Sequence, residues 1–358
     1  MSYIYRVSPS ESTETQRSNS GFGMTLALAT SLFALTACSQ SGEEIAEEVV
    51  QVEEVDIGRQ VDVTAAFSGT ESDSTAIGFI PNPNSASLGL IVSAPRDGGL
   101  DLFNADGEIL NRHAGLQLSG IATAPGFQLR GESLPLVFGA SSEADEIHGY
   151  AIVVDRSEIL ELPLADITPV DGIAGLCLLR EGVGFVDLAI LNSGASAEIW
   201  RVRDAGEETL SVEQISHFDL PSPARQCAAD NGDLIVASPA NGLVRVDTAG
   251  QVQSSRILAA SGVAVGDFNG TRLVLVTNGS DESIEAFKTD DLEPFASIDV
   301  VDGLSTPGIG HPGAVAITDQ SYGYTAYSAG MLAIFDNDDQ RIKVVSREAF
   351  SRSLMASE

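Results

Sequence analysis

The sequence predicts an all-β protein, namely a six-bladed β-propeller of four-stranded antiparallel blades that is closed by an N-terminal edge strand. Two observations support this prediction. Strand–turn–strand units recur about every 47 residues along the chain. In addition, no stretch shows apolar residues at helical spacing over three turns.

Six units carry the repeat. In each unit, two apolar strands flank a turn of small or polar residues, and the second strand usually ends near an Asp-x-x-Gly sequence. A further strand precedes most of these hairpins, as in GLCLLREG, and another often follows, as in VEQISHFDL. We therefore expect about four strands per unit. The units begin at Leu90, Leu136, Leu188, Leu234, Leu273 and Tyr324.

A four-stranded sheet with two apolar faces cannot bury both faces alone, so six such sheets are expected to pack around an axis and to fill residues 60 to 350. A stacked β-solenoid and paired sandwiches are the alternatives. Solenoid rungs, however, are shorter than about 47 residues, and sandwiches do not require six matched hairpins. Residues near 60 to 80 are expected to supply an edge strand that closes the ring against the last blade.

The N-terminal region has the features of an export signal. Residues 24 to 37 form an apolar run that is too short to span a bilayer comfortably but has the length of a signal-peptide core. The sequence Leu35-Thr36-Ala37-Cys38 resembles the bacterial lipobox, in which the cysteine is lipidated. We therefore predict a lipoprotein signal peptide at residues 1–37, with Met1 rather than Met24 as the start.

Lipidation of Cys38 would anchor the protein in the cell envelope. Ser39 follows the cysteine, and by resemblance to Gram-negative lipoproteins this favours the outer membrane. Residues 39 to 57 carry seven acids and no base, and such a density of like charge keeps a segment extended. We expect residues 38–58 to form a flexible acidic tether and residues 59–358 to form the propeller domain.

Charge excludes one class of function. The chain has 19 Lys and Arg residues against 51 Asp and Glu residues, which gives a formal net charge of -32. A protein this acidic repels a phosphodiester backbone, so nucleic acid is excluded as a partner. The 43% hydrophobic content excludes a globally disordered chain.

Two cysteines, Cys177 and Cys227, fall within the predicted propeller. An exported protein meets an oxidising compartment, which allows a disulfide between them. Each lies in an apolar, strand-like context in which a buried thiol is also common. The sequence therefore leaves both states open. Neither cysteine has a CxxC partner, and four histidines in the whole chain do not indicate a zinc site.

Several segments carry a family resemblance, beginning with GGLDLFNADGEIL at 98–110 and AGLCLL at 174–179. The first resembles a GGL strand, and the second a Y-G-L-C strand, of the β-propeller phytase family. ARQCAADNGDLIVASPANGLVRVD and ASGVAVGDFNGTRLVLVTNGSDESIEAF are similar to two of its later blades. The resemblance runs in order through residues 60 to 350. It implies a propeller fold and calcium-dependent hydrolysis of phosphate monoesters of phytate, of the 3-phytase type.

The resemblance also implies site residues. Glu71 and Asp73 lie at or near the first acid of a family motif and are the candidate calcium ligands, while Arg96 and Arg225 are the candidate phosphate-binding residues. The family needs several carboxylates because calcium takes 6–8 oxygen ligands. Neutral or basic residues replace most of these acids here. The replacements stand at Arg225-Gln226, Ser238-Pro239, Ser261-Gly262 and Gly308-Ile309-Gly310-His311.

Two functional hypotheses follow from these residues. The first is a surface-anchored phytase-like phosphomonoesterase that uses calcium. The second is a binding or interaction module that keeps the propeller scaffold and uses its channel mouth, with Arg96 and Arg225, for phytate, another anionic small molecule or a protein partner. The membrane would be contacted through the lipid anchor only.

Overall fold

The structure, a computed structural model, describes residues 58–67, 72–239, 241–278 and 280–356. In this part of the chain, six antiparallel sheets follow one another in sequence, and each has its strands in simple up-and-down order. The first strands of successive blades lie against each other, and the first strand of the sixth blade lies against that of the first. The ring is therefore closed, and the predicted six-bladed propeller is confirmed.

The strands of the first half begin with two short N-terminal segments, β1 (Gly58–Asp62) and β2 (Ala65–Ala66). Blade 1 consists of β3 (Ser74–Ile80), β4 (Leu90–Pro95), β5 (Leu100–Asn104) and β6 (Ile109–His113). Blade 2 contains β7 (Gly120–Ala124), a small side hairpin of β8 (Gln128–Leu129) and β9 (Glu132–Ser133), and then β10 (Leu136–Ser141), β11 (Glu146–Val153) and β12 (Glu158–Leu162). Blade 3 consists of β13 (Ile173–Gly182), β14 (Phe185–Asn192), β15 (Ser196–Arg203) and β16 (Ser211–Asp219).

The second half repeats the same plan. Blade 4 consists of β17 (Gln226–Asp230), β18 (Asp233–Ser238), β19 (Gly242–Val246) and β20 (Val252–Arg256). Blade 5 consists of β21 (Gly262–Phe268), β22 (Thr271–Thr277), β23 (Ser283–Lys288) and β24 (Pro294–Val301). Blade 6 has β25 (Pro312–Thr318), β26 (Met331–Asp336) and β27 (Arg341–Ser346), followed by helix α1 (Arg347–Met355). Short 3-10 turns lie at Ala86–Leu88, Val154–Arg156 and Thr325–Tyr327.

The hydrophobic core is divided between the blades. Each of six apolar clusters combines side chains from two neighbouring blades, and the cluster that joins blade 6 to blade 1 closes the circuit. In that last cluster the fully buried Phe67 lies against Phe103, with ring centroids 5.3 Å apart. Both faces of every sheet are thus used for packing, which is the property that predicted the ring.

Ring closure uses the N-terminal segment twice. β2 pairs antiparallel with β27 and completes blade 6, as predicted for the edge strand. β1 pairs parallel with β24, from Gly58 opposite Ser297 to Asp62 opposite Val301, and adds a fifth strand to blade 5. Residues 74–80, which were included in the predicted edge segment, instead form the first strand of blade 1.

The last repeat unit begins later than predicted. Tyr324 precedes a 3-10 turn rather than a strand, and the hairpin of blade 6 begins at Met331. Gly323 and Gly330 have φ angles of 80° and 97°, a region that favours glycine and interrupts an extended strand. The neighbouring Tyr322 is fully buried and donates its hydroxyl to the Leu90 carbonyl at 3.0 Å, which fixes this loop on blade 1.

Helix α1 was not predicted. The Ser346 side chain caps its first turn by accepting a hydrogen bond from the Ala349 amide, and the fully buried Phe350 and Leu354 enter the cluster between blades 5 and 6. Its nine residues are too few to produce a helical period over three turns. Among the described residues, no helix has both the length and the apolar character needed to cross a membrane.

Cys177 and Cys227 form a disulfide with their Cα atoms 5.8 Å apart. The bond joins β13 to β17, the first strands of blades 3 and 4. The sequence had left open whether the two cysteines are bridged or are buried thiols, and in the structure they are bridged. The predicted signal peptide, Cys38 and nearly all of the predicted tether fall in residues 1–57, outside the described residues. Those expectations stay predictions.

Candidate functional site

The direction of the first strands defines two faces of the propeller. We call the face at which these strands begin the upper face and the face at which they end the lower face. The upper face carries a cavity of about 540 Å³, lined by residues at the start of all six first strands and by turns between second and third strands. This upper cavity is the channel mouth at which the sequence predicted the site.

The upper cavity brings the two predicted phosphate-binding residues together. Arg96, from the turn between β4 and β5, and Arg225, just before β17, both line it although they belong to blades 1 and 4. No Asp or Glu is present among the described residues that line this cavity. Acids outnumber bases by 51 to 19 in the whole chain, so a described lining with two arginines and no acid is a local excess of positive charge. Such a lining favours anions over cations.

Backbone irregularities shape the upper cavity. The pairing register shifts between Ser74 and Ala76 in β3, between Ile173 and Gly175 in β13, and between Pro312 and Val315 in β25. The residues inside these three bulges are Thr75, Ala174, Gly313 and Ala314, and all of them line the cavity. Bulges re-aim side chains and are over-represented next to functional sites. Three at one mouth indicate a shaped site.

Arg225 is held by its backbone, which leaves its side chain available. The Arg225 amide donates to the Ala237 carbonyl at 3.1 Å. Gly175 allows this close approach, because a Cβ at that position would lie 2.2 Å from the Arg225 carbonyl oxygen. The Arg225 side chain is exposed and has no ion pair among the described residues. Within the described part of the chain it is therefore a cation without a carboxylate partner at the mouth of the channel.

Arg96 is partly engaged by Asp73. The Arg96 Nε atom lies 3.3 Å from a carboxylate oxygen of Asp73, and the Arg96 amide donates to the Asp73 carbonyl at 2.7 Å. The same carboxylate accepts from Gln340 Nε2 at 3.3 Å. Because 63% of the Arg96 side chain is exposed, its remaining N–H groups can still reach an anion. Asp73 acts here as the anchor of an arginine.

Two hydroxyl groups of the upper cavity have backbone acceptors. The single hydroxyl proton of Thr75 can be donated to the carbonyl of either Ala94 or Leu118, and Ser261 Oγ donates to the Thr277 carbonyl at 3.0 Å. The side-chain donors that line the cavity include the two guanidinium groups, the amides of Gln117 and Gln226, and the hydroxyl groups of Ser142 and Ser193. This donor set suits a multiply charged anion.

The same residues do not fit a calcium cluster. Calcium requires several carboxylate or carbonyl oxygens, whereas this cavity presents two arginines. Among the described residues, no group of three or more His, Cys, Asp or Glu side chains is placed to hold a metal ion. Glu71, the other predicted ligand, lies outside the described residues, so the calcium prediction rests on the resemblance alone.

A second cavity, of about 900 Å³, lies at the lower face, where the first strands end. We call it the lower cavity. Its lining includes Glu181, at the end of β13, together with Arg272 and Arg347. Glu181 accepts a hydrogen bond from the Gly126 amide at 2.8 Å, and burial of its carboxyl raises its pKa, although that hydrogen bond works in the opposite direction. Sequence reasoning missed this residue, because Arg180-Glu181-Gly182 has the composition of an ordinary turn.

The two cavities share no lining residue. Between them, mid-strand positions of the first strands carry apolar side chains that are 5–8% exposed, namely Ile121, Leu176, Val263 and Val315. These side chains belong to the apolar clusters that join neighbouring blades. Each mouth can therefore have its own ligand.

Comparison with solved structures supports the fold. No family model matches the sequence, and no curated protein matches it. The chain is similar to the structure of an auxiliary nutrient binding protein from Bacteroides thetaiotaomicron VPI-5482, with a TM-score of 0.51 and 11% identity over 77% of this chain and 69% of that chain. It is also similar to BBS1N, solved in complex with ARL6DN, with a TM-score of 0.50 and 9% identity over 80% and 97% of the two chains. At these identities the likeness shows a shared β-propeller fold.

Proposed function

We propose that this protein is a binding propeller whose upper cavity takes a small, multiply charged anion such as an organic phosphate or polycarboxylate. One observation carries the proposal: of the residues that the structure describes, two arginines and no Asp or Glu line this cavity, although acids outnumber bases by 51 to 19 in the chain. Arg225, which has no ion pair among the described residues, is the main anchor, and Arg96 is the second.

Electrostatics explains why such a lining is informative. The net charge of -32 repels anions at long range, so an anion site needs a local excess of positive charge. An arginine without a carboxylate partner provides that charge, and its planar fork matches phosphate and carboxylate oxygens. The auxiliary nutrient binding protein among the structural neighbours makes a ligand-binding role compatible with the fold.

Phytate is the natural first probe, because the sequence resembles the β-propeller phytases. The family's calcium-dependent hydrolysis is not part of this proposal, since the described lining of the upper cavity contains no carboxylate that would hold calcium. Binding of an anion and hydrolysis of a phosphate ester are separable in one experiment. Anion binding can be measured without calcium, whereas the hydrolysis that the family resemblance implies requires calcium.

The test is isothermal titration of the purified full chain with inositol hexakisphosphate, inorganic phosphate and citrate in calcium-free buffer. We expect saturable binding of at least one of these anions, weakening as salt rises because charged contacts are screened. Arg225→Gln should weaken that binding roughly tenfold or more, since a hydrogen bond to a charged group contributes about 1.5–3 kcal/mol. Arg352→Gln is the matched control.

Arg352 suits the control because it is an exposed arginine in α1, has no ion pair among the described residues and does not line the upper cavity. If none of the three anions binds, or if Arg225→Gln binds as tightly as the unaltered protein, the proposal is wrong. A parallel assay with added calcium measures phosphate release from phytate. Release in that assay would favour the phytase-like hydrolase instead.

We also propose that the protein reaches the cell envelope as a lipoprotein anchored through Cys38. The supporting observation is the apolar run that ends at Leu35-Thr36-Ala37-Cys38, followed by the acidic segment. Mass spectrometry of the protein purified from membranes should find the mature chain beginning at a lipid-modified Cys38. Cys38→Ala should abolish that modification, and an unmodified N-terminus in the unaltered protein would contradict the assignment.

A further inference from the structure

We propose that the lower cavity is a second binding site, specific for a small organic ammonium ion with an apolar body, and that Glu181 holds the ammonium group. This site is independent of the anion site at the upper face. The cavity has a volume of about 900 Å³, which is within the range of small-molecule sites.

Three acids line the lower cavity, and charge and burial together favour Glu181 among them. Asp267 lies 4.0 Å from Arg347, while Asp319 is exposed and accepts a hydrogen bond from Gln320. Arg272 pairs with Asp230, Nε to carboxylate oxygen, at 2.6 Å. Arg347 donates to the backbone carbonyls of Asp267 and Ala329.

The two arginines of the cavity are thus already engaged by the protein. Glu181, by contrast, has no ion pair among the described residues, and its hydrogen bond comes from the neutral amide of Gly126. It is a half-buried carboxylate without a cation in the larger of the two channel mouths. A ligand that brings a positive charge would supply the missing partner.

The carboxylate is held in place by the turn that follows β7. The Gly126 amide contacts Glu181 Oε1 at 2.8 Å, and a Cβ at position 126 would lie 3.3 Å from the same oxygen. The absence of a side chain at this glycine therefore lets the carboxylate approach the backbone of the neighbouring blade. One oxygen is oriented by that contact, and the other is available to a ligand.

The walls favour an organic cation over a metal ion. Apolar side chains line the inner part of the cavity, namely Ile77, Phe79, Leu178, Val265 and Ile317. A divalent ion would need several oxygen ligands, and the described residues contain no cluster of three or more potential metal-ligating side chains. An ammonium group needs one carboxylate and a few acceptors, while the hydrocarbon attached to it gains from contact with this apolar surface.

The experiment uses three probes of matched size: benzylammonium, benzyl alcohol and benzoate. In ligand-observed NMR titrations of the full chain, benzylammonium should bind saturably, benzyl alcohol should bind at least tenfold more weakly, and benzoate should not bind. Glu181→Gln keeps an acceptor for the Gly126 amide and removes the charge, so it should weaken benzylammonium binding at least tenfold. Equal binding of benzylammonium and benzyl alcohol would overturn the proposal.

Glu282→Gln is the matched control, because Glu282 is an exposed acid in the turn between β22 and β23 and does not line the lower cavity. It should bind benzylammonium as the unaltered protein does. An equal loss in both variants would show that net charge alone attracts the probe and would also overturn the proposal. Val265→Phe fills the cavity while leaving the carboxylate in place, and it should abolish binding even if Glu181→Gln does not fold.

The two mouths give a further check. Arg225→Gln, designed to weaken the anion site, should leave benzylammonium affinity unchanged, and Glu181→Gln should leave anion affinity unchanged. Loss of both affinities in either variant would mean that the mouths are not independent. Failure of the upper site and failure of the lower site are thereby distinguishable.

Discussion

Lys343 and Asp336 form an ion pair in which both side chains are only 1% exposed, with the Lys343 Nζ atom 2.6 Å from an Asp336 carboxylate oxygen. The ammonium group also contacts Asp339 at 3.0 Å and the Gly308 carbonyl, so all three of its protons have acceptors. The pair joins β26 to β27 in the blade that closes the ring. The pair lies where β2 completes the sheet, because Lys343 is the residue of β27 that stands opposite Ala66 of β2.

Removing the cation should therefore be costly. Lys343→Met leaves the Asp336 carboxylate buried without its partner, and we expect the free energy of unfolding to fall by about 3–5 kcal/mol. The control is Lys288→Met, which breaks an exposed pair with Glu293 and should cost far less, because solvent screens exposed charges. Denaturant unfolding monitored by circular dichroism measures both. Similar losses in the two variants would contradict the importance of burial.

Asp187 should make stability depend on pH. Burial alone would raise the pKa of its carboxyl, but hydrogen bonds and charge from Arg201 and Arg180 outweigh burial and lower the pKa below its ordinary value of 3.8. The unfolded state therefore takes up this proton first as the pH falls. The stability that Asp187 contributes is present above the ordinary value and is lost as the pH falls through the folded-state pKa. The stability difference between the unaltered protein and Asp187→Asn should shrink from pH 7 to pH 3. A constant difference would refute this linkage.

The disulfide between Cys177 and Cys227 encloses 50 residues. Cross-linking a loop of that length restricts the unfolded chain, and the chain-entropy relation gives a stabilisation of about 4 kcal/mol. The double variant Cys177→Ala/Cys227→Ala should therefore unfold about 2–4 kcal/mol more easily in denaturant titrations. Adding reductant should destabilise the unaltered protein and leave the variant unchanged. Unchanged stability in the double variant would show that blades 3 and 4 pack equally well without the bond.

Arg225 and Ser261 test the resemblance to the phytases. Both residues line the upper cavity, and the sequence resemblance predicts that they correspond to glutamates of that family. Arg225→Glu with Ser261→Glu should restore carboxylates to the mouth and create calcium affinity, seen as a rise in the unfolding midpoint with added calcium. Arg225→Gln with Ser261→Gln removes the same side chains without adding charge and should show no such rise. If calcium affinity does not change in the glutamate variant, the residue correspondence with the family is wrong.

The repeat made the fold predictable. Five of the six unit starts fall in the second strand of a blade, because each blade must present alternating apolar residues to both neighbours. The unit start predicted at Tyr324 was wrong, because the tyrosine and alanine residues there have the composition of a strand but form a loop. Glycines with positive φ angles stand at both ends of this loop. The parallel pairing of β1 with β24 also escaped prediction, since a terminal strand carries no turn that sets its partner.

The site was predictable only in part. The fold class predicted that the site would lie on the loops at the channel, and the family resemblance selected Arg96 and Arg225, which the structure places in one cavity. Asp73 was expected to be a metal ligand because its position matches a family acid, but its pairing with Arg96 depends on two turns meeting in space. Glu181 gave no signal, because its burial and its contact with Gly126 in the neighbouring blade exist only after folding.

The position of β1 has a mechanical consequence. A pull on Gly58 along the strand direction would load all of the hydrogen bonds between β1 and β24 together rather than one at a time. That force would spread into blade 5 before it reached β2, whose two residues hold blade 6 closed. The parallel strand thus shields the two-residue pairing of β2 with β27 from a force applied at Gly58.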